Sequence, residues 1–441
     1  MTGLDIYKQL PKKNCGECGP PTCLAFAMAL AAGKAELSAC PYVSEEAKEN
    51  LAAAAAPPIR LVKIGTGDEV VEVGDETVIF RHEKTFFHPT GIAIRVSDAE
   101  DVEAKLAKIK DLVLERVGQV YEVDLVAVSA DSGDPGKFAA AVEKVAQGTD
   151  LALMLIGGVE EIRAALDIVA DRKPLLYAAD AENYEEMTNL AKEKGCPLVV
   201  KGTGLDDLAE LVKKVEGLGH KELVLDSGNR ELSRVLADLT QIRRLAIKKR
   251  FRPFGYPTVA FTTKDDPKRE VVEASVFVAK YAGIVVLKAC EREHLLPLLS
   301  WRQNLYTDPQ KPIQVESKLY EVGNVNADSP VYVTTNFSLT YFTVEGEVEA
   351  SKVPAYIIPV NTDGTSVLTA WAAGKFEAEH IAEMLEKTGV AEKVSHRDVI
   401  IPGYVAVLSG KLKEVSGWNV IVGPREAAGI PAFVRERYGG R

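Results

Sequence analysis

Eight short apolar runs, separated by amphipathic helical patterns, restrict this chain more than any other feature. They are GIAIRV from Gly91, DLVAVSA from Asp124, LALMLIG from Leu151, PLLYAAD from Pro174, CPLVVKG from Cys196, ELVLDSG from Glu222, PTVAFTT from Pro257 and GIVVLKAC from Gly283. Runs that are apolar throughout, rather than alternating, suit strands buried on both faces, and hence a parallel sheet covered by helices. DAEDVEAKLAKIKDLVLERV and GLDDLAELVKKVEGLG carry charged faces and apolar residues at helical spacing, and are read as such helices. Eight regular repeats predict closure into a (β/α)8 TIM barrel, with a doubly wound open sheet as the rival.

The flanks differ from this pattern. Residues 1–57 form a separate segment that ends in ENLAAAAAPP, where the alanines continue a helix and Pro57-Pro58 stops it. VVEVGDETVIF reads as a hairpin turning at Gly74-Asp75, before a barrel spanning 58–322. In 323–441, VYVTTNF, AYIIPV, DVIIPGYV and NVIVGP read as four parallel strands. GTSVLTAWAAGKFEAEHIAEMLEKTG reads as one long helix, with LSGKLKEVSG and REAAGIPAFVRERYGG as two more. The expectation is an α/β chain whose last domain is a small Rossmann- or flavodoxin-like sheet, which binds ligands at the carboxyl ends of its strands. YEVGNVNADSP at 320–330 is expected to be a mobile linker.

A net charge of -11 argues against nucleic acid as a partner, because neutralising phosphates needs clustered Lys and Arg. No run of about 18 apolar residues is present, so no ordinary membrane-spanning helix is expected. MTGLDIYKQLPKKN lacks the apolar centre of a signal peptide, and a cytoplasmic location is the expectation. Disulfides rarely persist there, so clustered cysteines point to metal. Cys196 and Cys290 sit in apolar runs and read as buried small hydrophobes.

The other four cysteines, Cys15, Cys18, Cys23 and Cys40, follow C-x2-C-x4-C-x16-C, with Pro41 after the last. Three thiolates from one short loop, with Gly16, Gly19, Pro20 and Pro21 making the turns, can wrap several irons. A four-cysteine zinc site stays open, although such sites commonly pair two CxxC knuckles and only the first pair here is CxxC. Near the other end, NTDGTSVLTAWAAGK sets Gly364, Thr365 and Ser366 between a strand and a helix N-terminus, where a bulky polar ligand could meet backbone donors. The same residues would serve an ordinary capped turn. Gly403 in IPGYV and Gly423 in VGPRE end the next two strands. GxGxxG is absent, so a nicotinamide cofactor is not expected.

KNCGECGPPTCLAFAMALAAGKAELSACPY closely resembles the N-terminal cluster domain of corrinoid iron–sulfur protein large (gamma) subunits, and TDGTSVLTAWAAGKF is also close to that family's pattern. These proteins belong to the acetyl-CoA decarbonylase/synthase (Wood–Ljungdahl) system, and the resemblance runs over the whole chain. It implies a low-potential [4Fe–4S] cluster on Cys15, Cys18, Cys23 and Cys40, a TIM barrel, and a C-terminal cobamide-binding domain. It also implies a methyl carrier: Co(I) takes a methyl group from methyltetrahydrofolate through a methyltransferase and passes it to acetyl-CoA synthase, while the cluster rescues Co(II). The expected partners are a small TIM-barrel subunit in a heterodimer, the methyltransferase, acetyl-CoA synthase and a low-potential donor such as ferredoxin, in an anaerobic cytoplasm.

Many cobalamin carriers ligate cobalt through an Asp-x-His-x-x-Gly histidine, and none is present; His380 falls in a helix and His396 in SHRD. Either the last domain binds no corrinoid or it binds one without a protein histidine, and the resemblance implies the second, a base-off cofactor. By position and resemblance, its contacts are Ser338, Thr340, Gly364, Thr365, Ser366, Val367, Leu368, Thr369, Ala370, Trp371, Gly403, Tyr404, Gly423 and Pro424. Asp131, Asp180, Lys201, Asp226, Asn229 and Lys288 end barrel strands, and DSGN could bind a pterin. A pterin-binding methyltransferase acting on its own corrinoid is therefore the alternative, with docking or solvation as the plainer reading of these residues. A pure redox or interaction module is the third reading. His82, His88, His220 and His294 are scattered and suggest no metal site.

Overall fold

The computed structural model describes residues 3–31, 34–44, 47–48, 51, 57–80, 86, 88–116, 118–307 and 312–438. The expected alanine helix at 52–56, together with His82, lies outside the described residues. In chain order the strands are β1 (Val62–Ile64), β2 (Val71–Val73), β3 (Gly91–Ser97), β4 (Leu114–Arg116), β5 (Gln119–Tyr121), β6 (Leu125–Ser129), β7 (Ala152–Ile156), β8 (Leu175–Ala179) and β9 (Leu198–Lys201). They continue as β10 (Leu223–Asp226), β11 (Val259–Phe261), β12 (Ile284–Leu287), β13 (Tyr320–Val322), β14 (Val331–Thr335), β15 (Ala355–Val360), β16 (Asp398–Ile401) and β17 (Asn419–Val422). Contacts divide the chain into two compact units, Met1–Leu112 with Val123–Arg302, and Val113–Glu122 with Gln303–Arg441.

In the first unit all eight apolar runs are strands of one parallel sheet, ordered β10-β9-β8-β7-β6-β3-β12-β11. A bridge from Leu225 to Thr258 joins its two ends, with Leu225 N donating to Pro257 O at 2.8 Å. The sheet therefore closes into the barrel. Ala93, Leu125, Met154, Val199, Val224 and Ile284 fill its interior. Pro at the first helical turn behind an Asp cap starts the crossover helices Pro135–Gly148 and Pro267–Ala279, where the missing N–H costs nothing.

Two local expectations need correction here. The hairpin before the barrel pairs β1 with β2, so its turn is the stretch from Gly65 to Val70 and not Gly74-Asp75. Val62, Ile64 and Val73 join the barrel's interior cluster, and Gly65 N donates to Lys173 O, so the hairpin stoppers the amino end. The helix expected over DAEDVEAKLAKIKDLVLERV covers only Val102–Lys110. Beyond it, β4 pairs antiparallel with β5 through Gly118 at φ +66°.

The second unit holds a five-stranded sheet ordered β13-β15-β14-β16-β17, parallel except for β13. Helices Ala378–Lys387 and Ser409–Ser416 cover one face, and helices Ser338–Ser351 and Ile430–Tyr438 cover the other. The stretch expected as a linker at 320–330 thus begins inside the sheet, as β13 pairs Val322 with Ala355. The long expected helix is broken in two, Val367–Ala372 and Ala378–Lys387. Gly374, at φ +69°, ends the first piece in a left-handed cap, and Phe376 turns into the core, where it is fully buried.

Phe376 shares a cluster with Trp418 and Ile381. Phe376→Ala should therefore destabilise the second unit by about 3–5 kcal/mol, the usual cost of emptying a buried aromatic site. Urea unfolding followed by tryptophan fluorescence should show the transition of this unit moving to lower denaturant; an unmoved transition would contradict the packing described.

Candidate functional site

The cysteine segment is organised by one short apolar core. Ile6, Leu10, Phe26, Ala27 and Val43 pack with Cys23 and Cys40, which are 4% and 3% exposed. Cys15 is exposed and Cys18 half-buried, so two thiols face inward and two reach outward. Thr22 caps the helix Cys23–Ala31 by accepting from Ala25 N (3.1 Å). Asn14 Oδ1 accepts from Cys23 N at 2.8 Å, and Asn14 N lies 3.4 Å from Cys23 Sγ, a charge-stabilising donor for a thiolate. Gly16 and Gly19, at φ +78° and +97°, turn the loop, closed by Gly19 N donating to Gly16 O.

Tyr42 ties the two ends of the segment together: its hydroxyl donates to Glu17 (2.9 Å), and Lys13 Nζ lies 3.7 Å from its ring centroid. Burial, then the charges of Cys40, Cys15 and Cys23, push the Cys18 thiol above its ordinary value. Among the described residues, no three His, Cys, Asp or Glu side chains stand close enough to hold a single metal ion. Four cysteine thiols, three from one short loop and a fourth, Cys40, sharing their core, are a donor set of the kind that holds an iron–sulfur cluster.

The second site lies at the carboxyl edge of the C-terminal sheet. A groove of about 250 Å³ opens beside β14 and β16, lined by Tyr332, Thr334, Thr340, Thr343, Ile400 and Arg425 among others. The buried hydroxyls of Tyr332 and Thr334 have no hydrogen-bond partner, and burial pushes the Tyr332 phenol up. A groove that combines apolar side chains with Thr340, Thr343 and Arg425 suits a large ligand with both apolar and polar surface. Leu339, Leu368, Trp371, Tyr404, Val407 and Val422, each more than 40% exposed, stand in the segments at the same edge. That is more exposed apolar surface than solvation explains.

Of the residues expected from sequence, Thr340, Val367, Gly423 and Pro424 line the groove. Ser366 precedes the helix Val367–Ala372, its Oγ 3.1 Å from the Thr369 hydroxyl. Thr365 Oγ1 donates to Thr362 O (2.7 Å) within the turn. Gly364 is left-handed at φ +70°, and a Cβ there would meet Gln314 Cγ at 2.7 Å. Gly403 is demanded by loop packing, since its Cβ would fall 2.6 Å from Gly423 O. Ser338 and Ala370 are 2% and 0% exposed and face protein. Tyr332, Thr334, Thr343, Arg425 and Asn336 went unread in the sequence; the run of hydroxyls in VYVTTN, polar where a strand should be apolar, was the available signal.

Among the described residues, no histidine lines this groove. His396 stands at the amino end of β16, accepting from Asp398 N at Nδ1 (3.1 Å), which leaves Nε2–H to donate to Ser329 O (3.0 Å). His380 is absent from the groove lining.

At the barrel mouth the polar residues answer one another. Arg230 Nη1 and Nη2 donate to Asp226 Oδ1 (3.0 Å) and Oδ2 (2.8 Å), and Nη2 donates to Tyr177 Oη (2.7 Å). Tyr177 in turn donates to Asp226, and burial with that carboxylate's charge pushes the phenol up. The Arg230 guanidinium also lies 4.8 Å from the Phe261 ring centroid. Asp131 is held by Arg95 (2.7 Å) and Ser129, Asn229 by Asp238 (2.6 Å), and Lys288 by Asp265 (3.0 Å). Asp180 accepts from Glu182 N and Asn183 N in its own turn, and Lys201 ends β9.

Two family profiles match this chain. CdhD, the CO dehydrogenase/acetyl-CoA synthase delta subunit, matches residues 61–434, and FeS, an Fe-S cluster family, matches residues 10–42. The chain is 61% identical over 439 residues to the corrinoid/iron-sulfur protein large subunit of Moorella thermoacetica, covering 99% of this chain and 98% of that protein. It is 36% identical to the acetyl-CoA decarbonylase/synthase complex subunit gamma of Methanothermobacter thermautotrophicus (98% of each chain). With the gamma subunit of Methanopyrus kandleri it shares 37% identity, over 99% of this chain and 98% of that one. The chain belongs to this family. The delta-subunit profile begins after the cysteine segment, whereas the large and gamma subunits align over almost the entire chain, so the full-length kinship is with the latter.

Removing one partner from the Asp226–Arg230 pair leaves a charge stranded beside the core. Asp226→Ala should lower the stability of the first unit by about 2–3 kcal/mol. Chemical denaturation checks this, and an unchanged midpoint would mean the pair is idle.

Proposed function

We propose that this chain is the methyl carrier of a reductive acetyl-CoA (Wood–Ljungdahl) pathway, holding a [4Fe–4S] cluster on Cys15, Cys18, Cys23 and Cys40 and a cobamide in its C-terminal domain. The observation that carries the reading is the place of the groove. Among the parallel strands the order β15-β14-β16-β17 is 2-1-3-4, the flavodoxin-like arrangement, and the groove opens between its first and third strands. Doubly wound sheets bind ligands where the strand order reverses. Kinship with large and gamma subunits over the whole chain supports the same assignment.

When bound, the cobamide would supply a Co(I) nucleophile that accepts a methyl group from methyltetrahydrofolate by way of a methyltransferase and releases it to acetyl-CoA synthase. The chain's own part is to seat and shield it. Thr340, Val367, Gly423 and Pro424 line the seat; Leu368, Trp371 and Tyr404 present apolar surface to a macrocycle, and Thr343 and Arg425 in the lining offer polar groups to its appendages. No histidine lines the groove, so the cofactor is read as base-off without a protein ligand. Weak axial ligation favours the low oxidation state. A low-potential cluster would then restore that state after accidental oxidation, which gives the cysteine segment its task.

The chain is thus one component of a methyltransferase system whose chemistry is shared with partner enzymes. Those partners are read as a small TIM-barrel subunit forming a heterodimer, the methyltransferase, acetyl-CoA synthase and a ferredoxin-like donor. The proposed domains are 1–57, 58–322 and 323–441, and an anaerobic cytoplasm is the proposed location. No helix among the described residues is long and apolar enough to cross a membrane. Against the alternative, a pterin-binding barrel, stand the paired Asp226, Arg230 and Tyr177, already engaged with one another.

Anaerobically purified and reconstituted protein should contain about four irons and about one cobalt per chain. Cys40→Ser should lose the iron and keep the cobalt, and its methyl acceptance should decay over repeated turnovers. Full iron retention in that variant would overturn the ligand set, and absence of cobalt from the wild type would overturn the carrier. Isothermal titration of the isolated chain with methyltetrahydrofolate should show no tight binding; tight binding with methyl transfer in the absence of a methyltransferase would favour the alternative.

A further inference from the structure

At the end of β14, Asn336 is 3% exposed, yet every polar atom of its side chain is used. Its Oδ1 accepts from Thr362 N (2.9 Å), Thr362 Oγ1 (3.1 Å) and Gly364 N (3.1 Å). Its Nδ2 donates to Gln314 Oε1 (2.9 Å) and Asn361 Oδ1 (3.2 Å). The backbone it grips has an unfavourable shape: Asp363 and Gly364 are successive left-handed residues, at φ +54° and +70°. A left-handed non-glycine residue is disfavoured and persists only where its surroundings dictate it. Here Asn361 Oδ1 accepts from Asp363 N (3.1 Å), and Lys375 pairs with Asp363 (2.8 Å), but both are exposed contacts. The buried grip is Asn336. The turn it holds leads directly into the helix Val367–Ala372, whose Val367 lines the groove and whose Leu368 and Trp371 are exposed.

We propose that Asn336 is the positioning residue of the ligand turn: its side-chain amide holds residues 361–365 in the left-handed form that presents Val367, Leu368 and Trp371 to the cobamide. The proposal rests on the cobamide binding at this edge, as argued above. Asn336 itself touches no ligand in this account. Its acceptor oxygen does the holding, while its donor nitrogen only steadies the amide through Gln314 and Asn361.

The test compares Asn336→Ala, Asn336→Asp and Gln314→Ala by two readouts. Amide hydrogen exchange over 362–366 is followed in cobamide-free protein, and cobamide affinity is measured by absorption titration. Asn336→Ala strands the donors of Thr362 and Gly364, so these amides should lose protection and cobamide should bind about 10- to 100-fold more weakly. Gln314→Ala should hold both readouts near wild type, whereas Asn336→Asp keeps the acceptor but sets an oxygen against those of Gln314 and Asn361, so it should fall between wild type and Asn336→Ala. A merely structural Asn would not be partly rescued by the carboxylate in this way. Should Asn336→Ala not fold, Gly364→Ala takes its place, because its added Cβ would strike Pro312 O at 3.0 Å and open the same turn. Wild-type affinity in the turn-opening variant, or equal loss in Asn336→Asp, overturns the positioning role while leaving the methyl carrier intact. A wild-type chain that takes up no cobamide overturns the carrier reading itself.

Discussion

A parallel strand cannot return to its neighbour by a hairpin, and both working parts of this molecule beyond residue 90 follow from that constraint. Each crossover sends the chain through a helix and delivers a fresh loop to the carboxyl edge of the sheet. In the barrel these loops converge on the mouth; in the C-terminal domain they gather where the strand order reverses. The two edges then diverge chemically. At the mouth, carboxylates and guanidinium groups satisfy one another, as in Asp226 with Arg230 and Asp131 with Arg95. At the C-terminal edge, hydroxyls are left without partners and apolar side chains stand in water. Paired charges ask for no ligand, whereas an open groove beside exposed tryptophan and tyrosine suits one.

Legibility in the sequence followed the same division. All eight barrel strands were readable because each is buried on both faces and thus continuously apolar, from Gly91 to Leu287. Of the last domain's parallel strands, β15 was readable for the same reason, while β17 is an edge strand largely exposed along its length. What escaped were features set by single residues or by tertiary pairing. Gly374 interrupts a helical pattern whose spacing runs straight through it, because the core gains the Phe376 ring by breaking there. β4 and β5 lie in a stretch whose apolar spacing also fits a helix, and β13 is an edge strand of three residues that borrows its order from β15.

The candidate site was legible in outline. The ends of strands could be located, so Thr340, Val367, Gly423 and Pro424 were found; which side chain of a strand end points into a groove depends on the twist and on neighbouring helices. Asn336 is the clearest omission. It sits one residue past β14, and its importance comes from a turn 25 or more residues away in sequence, to which only the folded chain brings it. The cysteine segment was the reverse case, since ligand type and spacing are written locally, and its core of Phe26, Ala27 and Val43 only had to bring Cys40 back to the loop.

The two ends of the chain make sense only together. Cobalt without a strong axial donor would be easy to reduce but would need an electron source when oxidised, and a cluster on Cys15, Cys18, Cys23 and Cys40 would provide one. The absence of a nitrogen ligand is therefore the central claim. Electron paramagnetic resonance of the cobamide-loaded protein, poised anaerobically as Co(II), tests it most directly. The account predicts a base-off spectrum whose cobalt lines carry no nitrogen superhyperfine splitting. A triplet splitting of those lines, the mark of a nitrogen bound to the lower face, would contradict it.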